Sequence, residues 1–361
     1  MSNHYRPTWA EINLDHLWHN VLEARKAAPG KEIIPVVKAN AYGHGVIPVV
    51  SFLYEQGIKL FAVSLLEEGL ELRTHFKDID ILMMGPILAS DLKIASSNNI
   101  QITLYDLSIV EAVLNQKLPL TTHLKIDTGM SRYGLVDTEE ILSAIHQLSN
   151  HPMIDLRGIY THFATASEQD ALYERQLERF NQLLELIPSK PKMIHISNSS
   201  SIFKREHAFS FTTHVRLGIS LYGLSLDSPK PNLKPVMSLK SRVVEIKSLK
   251  KGDFVGYGGT YQATEDEKIA ILPIGYADGF IRRNKTGSIE IRDKKQKIVG
   301  IICMDATFVK IDDEVQVGDV ATLFGGIITI DDVAKRLNTI TYEVITQVSY
   351  RVPRVTIRSS I

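Results

Sequence analysis

A single cysteine, Cys303, among 361 residues has no partner within the chain. That excludes an intrachain disulfide and fits a reducing compartment. Net charge is missing too: 41 Lys and Arg stand against 41 Asp and Glu, and no block of one sign stands out. A nucleic acid or an anionic membrane surface therefore finds no basic face to bind. No apolar run approaches the ~20 residues that span a bilayer. The opening stretch is polar, without the apolar core of an export signal, so a cytoplasmic location is expected. The histidines show no metal-ligand spacing, and no metal is expected.

What the chain does have is alternation. Short apolar runs at 33–37, 59–64, 79–84, 100–104, 122–126, 158–161, 193–196 and 214–217 read as strands. Helical patterns lie among them, such as 46–56, 65–74, 107–115, 137–148 and a long one at 167–186. Eight strand–helix units in roughly 230 residues are what a parallel (β/α)8 TIM-like barrel requires. A doubly wound sheet would carry a glycine fingerprint after its first strand, and none is present. From about residue 237 the texture changes to short β-rich runs, beginning with 239–246, separated by Gly and Asp turns. Helical patterns return only at 330–337 and 342–348. The reading is an α/β chain of two domains, a barrel over 1–235 and a mostly-β domain over 236–361. The proline-bearing stretch 228–235 serves as an extended linker.

The first barrel strand ends on Lys38, followed by Ala39-Asn40-Ala41-Tyr42-Gly43-His44-Gly45. The C-terminal rim of this architecture is where chemistry is assembled. Lysine there can form a Schiff base with an aldehyde, or act as a base when its pKa is lowered. On this segment alone, a lysine snorkelling from a strand end would look the same. Other strand ends carry Lys125, Asp127, His162, Asn198, Ser199 and Arg216. The loop Gly218-Ile219-Ser220 can offer backbone N–H groups to a phosphate, and Ser199 a hydroxyl. A lysine and a phosphate cradle on one rim suit pyridoxal 5'-phosphate, PLP.

Ten motifs then run in order along the chain. They include Arg6-Pro7-Thr8-Trp9-Ala10-Glu11-Ile12, the Lys38 loop, Lys125-Ile126-Asp127-Thr128-Gly129-Met130-Ser131-Arg132 and Tyr160-Thr161-His162-Phe163-Ala164. Later come Val215-Arg216-Leu217-Gly218-Ile219, Tyr257-Gly258-Gly259-Thr260-Tyr261, Gly275-Tyr276-Ala277-Asp278-Gly279, Cys303-Met304-Asp305 and Tyr350-Arg351-Val352-Pro353-Arg354. On these motifs the chain resembles alanine racemase over almost its whole length. The resemblance implies a PLP-dependent isomerase interconverting L- and D-alanine, with D-alanine destined for peptidoglycan. It also implies a homodimer with shared active sites, and pairing of roughly the first ten residues with the C-terminal domain.

Roles follow by the same resemblance. Lys38 is implied as the cofactor lysine and the base on one face of the substrate Cα. Tyr257, from the partner subunit, is the base on the other face. A tyrosine with a pKa near 10 needs cationic neighbours to act so, and His162 and Arg216 are implied to supply them. Arg216 would face the pyridine nitrogen; an arginine cannot accept a proton, so the nitrogen stays unprotonated and proton exchange is favoured over transamination. Tyr42, Asn198, Ser199, Gly218, Ile219 and Tyr350 match cofactor contacts. Arg132 and Met304 match the substrate side, and Tyr276, Asp305 and Arg282 the entrance. In many members the lysine matching Lys125 carries a carbamate that orients the arginine matching Arg132. His195 is assigned to structure. Two entrance positions depart from the family pattern: Ile301 replaces a frequent arginine, and Ser167 a frequent aspartate.

Three classes of reading remain open. Within the first, a racemase, a broader small amino-acid enzyme for serine or alanine differs from an alanine racemase by only about 1–3 kcal/mol in pocket discrimination. A PLP-dependent decarboxylase on the same frame would want an acid where Arg216 stands. A non-catalytic PLP carrier would have no use for a second domain bearing Tyr257, Met304 and Tyr350.

Overall fold

A computed structural model of the chain describes residues 5–168, 170–204, 209–227 and 229–359. Residues 1–4 of the polar opening stretch, Gln169 inside the expected 167–186 helix, and Ser228 at the start of the expected linker lie outside the described residues. The chain falls into two compact units. One, the β unit, comprises Met1–Leu17, Tyr42–Gly45 and Pro235–Ile361; the other, the barrel unit, comprises Trp18–Ala41 and Val46–Lys234.

Strand β1 (Thr8–Asn13) belongs to the β unit. The barrel strands follow in sequence: β2 (Glu32–Pro35), β3 (Leu60–Val63), β4 (Asp80–Met83), β5 (Ile100–Leu104), β6 (Leu120–Lys125), β7 (Ile154–Tyr160), β8 (Met193–His195) and β9 (His214–Leu217). β3 to β8 form one parallel sheet in chain order, and β2 pairs in parallel with β9, Ile33 opposite Val215. Two seams close the ring. Val37 N–H donates to Ala62 O at 2.8 Å on one side, and Thr213 N–H to Ile194 O at 2.9 Å on the other. Most barrel-strand residues are buried, as in parallel sheets wrapped by helices, and the polar ones among them, such as Gln101, Thr103, Thr122 and His123, are buried too.

The long helix of the sixth unit begins later than the pattern suggested, at Ala171, and runs to Leu186. Asp170 decides the start: its carboxylate accepts the N–H groups of Leu172 and Tyr173, which the first turn cannot satisfy internally. Ser167 therefore sits in the preceding loop.

The β unit continues with β10 (Met237–Arg242), β11 (Glu245–Leu249), the short pair β12 (Phe254–Val255) and β13 (Tyr261–Gln262), β14 (Glu267–Leu272), β15 (Ser288–Ile291), β16 (Lys294–Val299), β17 (Thr307–Ile311), β18 (Val320–Phe324) and β19 (Arg354–Ile357). Nine of these strands, β1 included, make one sheet in the order β11-β14-β17-β16-β15-β18-β10-β1-β19. The run 239–246 is thus two strands rather than one. At Val243 and Val244 the backbone changes partners, donating first to Asp319 O and then to Ile271 O. Apolar character stays continuous through such a switch, so sequence pattern alone does not reveal it. β1 lies between β10 and β19, Ala10 facing Leu239 on one side and Arg354 on the other.

One ion pair ties the opening stretch of this unit to the loop after β14. Asp278 is fully buried and takes both Arg6 guanidinium nitrogens at 2.5 and 2.6 Å, while Gly275 N–H donates to the same carboxylate at 3.0 Å. Removing one partner of a buried pair leaves the other uncompensated. Asp278→Asn should therefore lower unfolding free energy by about 3 kcal/mol. Urea denaturation followed by circular dichroism would read the loss, and an unchanged midpoint would mean that Arg6 finds water instead.

Candidate active site

The first barrel strand ends at Pro35 rather than on Lys38, which stands three residues further on, and the backbone after the lysine turns the wrong way. Ala39, Asn40, Ala41 and Tyr42 all have φ near +52°. This is one turn of left-handed helix built without glycine, at about 1–2 kcal/mol per residue. Side chains hold it open. Glu68 accepts the N–H groups of Ala39, Ser64 and Leu65 at 2.6–3.0 Å, and Asn40 Oδ1 accepts Val46 N–H at 2.7 Å. The half-buried Lys38 amine has its pKa lowered by burial first and by the Arg132 charge second, with Glu68 opposing.

β6 ends on Lys125, 5% exposed. Its Nζ lies 5.3 Å from the Tyr160 ring centre and 5.9 Å from that of Tyr133. Those π faces favour a cation by about 0.5–2 kcal/mol each. Burial and the charges of Arg132, Arg216 and Lys38 outweigh them, and the Lys125 pKa falls from 10.5 to about 7. The loop behind it is an anion-held turn. Asp127 Oδ1 accepts N–H from Gly129, Met130 and Ser131, which presents Arg132 at the loop's tip. Gln176, fully buried, knots this loop to the next by bonding Thr128 Oγ1, His162 O and Ala164 N–H.

Arg216 on β9 is 3% exposed. It donates to Thr161 O at 2.8 Å, Ile196 O at 3.1 Å and His195 O, and to two imidazoles, His195 Nδ1 at 2.9 Å and His162 Nδ1 at 3.3 Å. His162 was expected to add positive charge. Burial, Arg216, Arg132, Lys125 and Lys38 instead drive its pKa well below 6.5, so it is a neutral acceptor and the cation is Arg216. His195 stacks on Tyr160 at 4.6 Å, and Arg216 lies 5.3 Å from the same ring. Burial pushes Tyr160 up to about 12, so it remains a neutral phenol donating or accepting at Thr103.

Beside Arg216, the Ser199 hydroxyl accepts N–H from Gly218 at 3.1 Å and Ser220 at 3.3 Å. Hydroxyl and backbone amides thus converge on one spot next to the buried Ile219. Asn198 turns its Oδ1 to Ser201 N–H at 3.2 Å. In the β unit, Tyr257 is 72% exposed, on a turn in which Gly256, Gly258 and Gly259 all take positive φ. Tyr350 is 93% and Met304 52% exposed. Tyr276 N–H and Ala277 N–H donate to Cys303 O and Met304 O, which joins the two loops; a Cβ at Gly275 would lie 2.2 Å from Cys303 O. Asp305 pairs with Arg351 at 2.6 Å, Arg282 is exposed, and Tyr42 packs 6.1 Å from Tyr342.

Residues 12–226 match the family model described as the alanine racemase N-terminal domain, and residues 236–356 that of the C-terminal domain. The chain belongs to the alanine racemase family. An alanine racemase from Geobacillus kaustophilus is 40% identical, over 99% of this chain and 97% of its own. A solved alanine racemase from Clostridium difficile superposes with a TM-score of 0.93 at 35% identity, covering 99% of this chain and 97% of that one. A histidine racemase from Leuconostoc mesenteroides does so with 0.91 at 28% identity, covering 98% and 99%.

Within this alanine racemase family member, sequence reasoning passed over Glu68, Tyr160, Gln176 and the contacts of His195. Tyr160 stood inside a quoted motif, beside His162. Glu68 stands three residues after Leu65, a helix-start position that sequence can signal, but its bond to Ala39 N–H has no local trace. Gln176 bonds groups on two other loops and leaves no local signal.

Lys125 links the site to stability. Between pH 7 and 10.5 the unfolded chain keeps a proton on this lysine that the folded chain has lost, so stability rises with pH across that window. Lys125→Met should lose this part of the rise. Urea midpoints at pH 7 and about pH 10 would test it; equal pH dependence in both proteins would place the proton uptake elsewhere.

Proposed function

We propose that the protein interconverts L- and D-alanine with PLP, using two bases on opposite faces of the substrate Cα. The observation that carries this reading is the Lys38 amine, half-buried and with a lowered pKa, on the same rim as Arg216 and the Ser199–Gly218 cradle. Those groups fit the cofactor. Lys38 would hold its aldehyde and Arg216 would donate to its ring nitrogen. Ser199 Oγ and the amides of Gly218 and Ser220 would take its phosphate, with Ile219, Asn198, Tyr42 and Tyr350 alongside. When bound, PLP supplies an electron-withdrawing ring that acidifies the amino-acid Cα–H.

The chain's own residues then move and orient. Lys38 takes or returns the proton on one face, its neutral form favoured by burial and Arg132. Tyr257 serves the other face from a second subunit, which suits its exposure on a glycine-rich turn. Met304 and its neighbour Asp305 come from that subunit, and Tyr276 and Arg282 also belong to the entrance. Arg132 holds the substrate carboxylate. Because Arg216 can only donate, it would leave the ring nitrogen of bound PLP unprotonated, which would favour proton exchange at Cα over transamination. The domain reading, a barrel over 1–235 whose first ten or so residues pair with a β domain over 236–361, the cytoplasmic location and the supply of D-alanine to peptidoglycan belong to this proposal.

A near-neutral Lys125 amine is also the form that adds carbon dioxide, and the product carbamate would be an anionic partner for Arg132. Bicarbonate enriched in 13C should give a carbamate carbonyl signal in wild type that Lys125→Ala lacks. A spectrum without it would leave Lys125 as a free amine.

The histidine racemase of the same fold favours keeping a second reading, a broader amino-acid racemase. Chiral chromatography after incubation with L-alanine, L-serine and L-histidine separates the two. Lys38→Ala should lose the visible absorbance of lysine-bound PLP. Tyr257→Phe should keep it and lose at least about a hundredfold in racemisation, the usual size of a general acid–base contribution. Wild type that holds PLP but racemises none of the three would refute both readings.

A further inference from the structure

Arg216 is bonded not only to the rim but to a line of side chains running back through the barrel interior. Arg216 Nη1 lies 2.9 Å from His195 Nδ1, and His195 Nε2 lies 3.0 Å from His123 Nδ1. His123 Nε2 is 2.9 Å from Gln101 Oε1, and Gln101 Nε2 is 3.0 Å from Asp80 Oδ1. His195 and His123 are fully buried and Gln101 is 3% exposed, while the Asp80 side chain is 57% exposed. Asp80 and Gln101 line a surface cavity of about 450 Å³ together with Asp155 and Arg157. Five side chains from β9, β8, β6, β5 and β4 thus connect the rim to solvent.

The line has only one self-consistent direction. An arginine can only donate and an ionised carboxylate can only accept. Arg216 therefore makes His195 Nδ1 an acceptor, which puts the His195 proton on Nε2. That proton goes to His123 Nδ1, so His123 carries its own on Nε2 and gives it to Gln101 Oε1. The Gln101 amide N–H then falls to Asp80. Each imidazole needs one proton and no more, and burial, which holds His123 down to about 3 and His195 well below 6.5, keeps both neutral.

The backbone is shaped around this line. Thr122 faces Leu156 across β6 and β7, but His123 faces Gly158: the register slips by one residue, a bulge that skips Arg157. A Cβ at Gly158 would lie 2.1 Å from His123 Nδ1, so glycine is the residue that leaves the ring its place. Arg157, displaced from the ladder, bonds Asp155 at 2.8 Å and stands 3.7 Å from Asp80, beside the outer end of the line.

We propose that His123, Gln101 and Asp80 are positioning residues for Arg216, acting as a one-way hydrogen-bond relay that fixes the His195 tautomer on which Arg216 docks. The relay rests on the proposed function only in what Arg216 is positioned for. In the opposite tautomer, His195 would turn an N–H toward the guanidinium, lose the bond and release one of the contacts that aim Arg216. Gln101→Met keeps the size and removes the acceptor for His123. Gln101→Glu restores an oxygen facing His123, and in its protonated form also an O–H for Asp80.

The test is 15N NMR of histidine-labelled holoenzyme together with steady-state kinetics. Wild type should show both His123 and His195 as neutral imidazoles protonated on Nε2. Gln101→Met should shift His195, two bonds away, into mixed tautomers and lower kcat by about tenfold with little change in KM, the size seen when an outer partner of a functional group is lost. Gln101→Glu should restore both readouts. If Gln101→Met perturbs His123 alone and leaves the His195 signals and kcat as in wild type, the relay is overturned. Equal loss in Gln101→Met and Gln101→Glu would likewise reduce Gln101 to a packing role and overturn it. Wild type with the tautomers as stated but no racemisation would refute the racemase reading and leave the relay standing.

Discussion

The buried guanidinium of Arg216 sets the terms for every polar group near it, because it can neither lose its proton nor accept a hydrogen bond. The barrel meets that demand with carbonyls of Thr161, His195 and Ile196 and with two ring nitrogens. Burial comes first, and neighbouring charge second, in lowering the basic groups around it. Lys125 comes down to about 7, Lys38 is lowered with Arg132 as its main charged neighbour, and His162 and His195 stay neutral. A set of ordinary basic residues is thereby poised by a dry interior that holds fixed positive charge. Nothing in that requires a metal or an unusual side chain.

The parts legible from sequence were those with a period. Eight apolar runs alternating with helical faces give a barrel, and the strand-end positions of Lys38, Lys125, His162, Ser199 and Arg216 follow from it. The parts that stayed hidden depend on contacts between distant segments. The turn after Lys38 reads as a small-residue loop, and only its tethers to Glu68 and Val46 make it left-handed. The run 239–246 splits because Asp319 and Ile271 claim successive amides, an event that no local pattern records. Asp170 could have been recognised as a helix cap from its type and place, and the start of that helix was readable in principle.

His195 shows a different limit. A histidine on a barrel strand is more often a satisfied core group than a working one, and assigning it to structure was reasonable by residue type. Its meaning lies in direction rather than in presence. It is satisfied by Arg216 on one nitrogen and by His123 on the other, and the order of those two bonds is what matters. The roles of Tyr257, Met304 and Tyr350 came from the resemblance alone; as exposed residues on turns they carry no chemistry that their own surroundings announce.

The left-handed turn at Ala39, Asn40, Ala41 and Tyr42 has a consequence for where the chain tolerates change. Four residues at about 1–2 kcal/mol each are more than an isolated segment can sustain. The turn is held from outside itself, by the Glu68 carboxylate on Ala39 N–H and through Asn40 by the amide that opens the helix at Val46. The setting of the lysine is thus inherited from side chains and amides beyond its own loop, and a substitution at Glu68 reaches it without touching it.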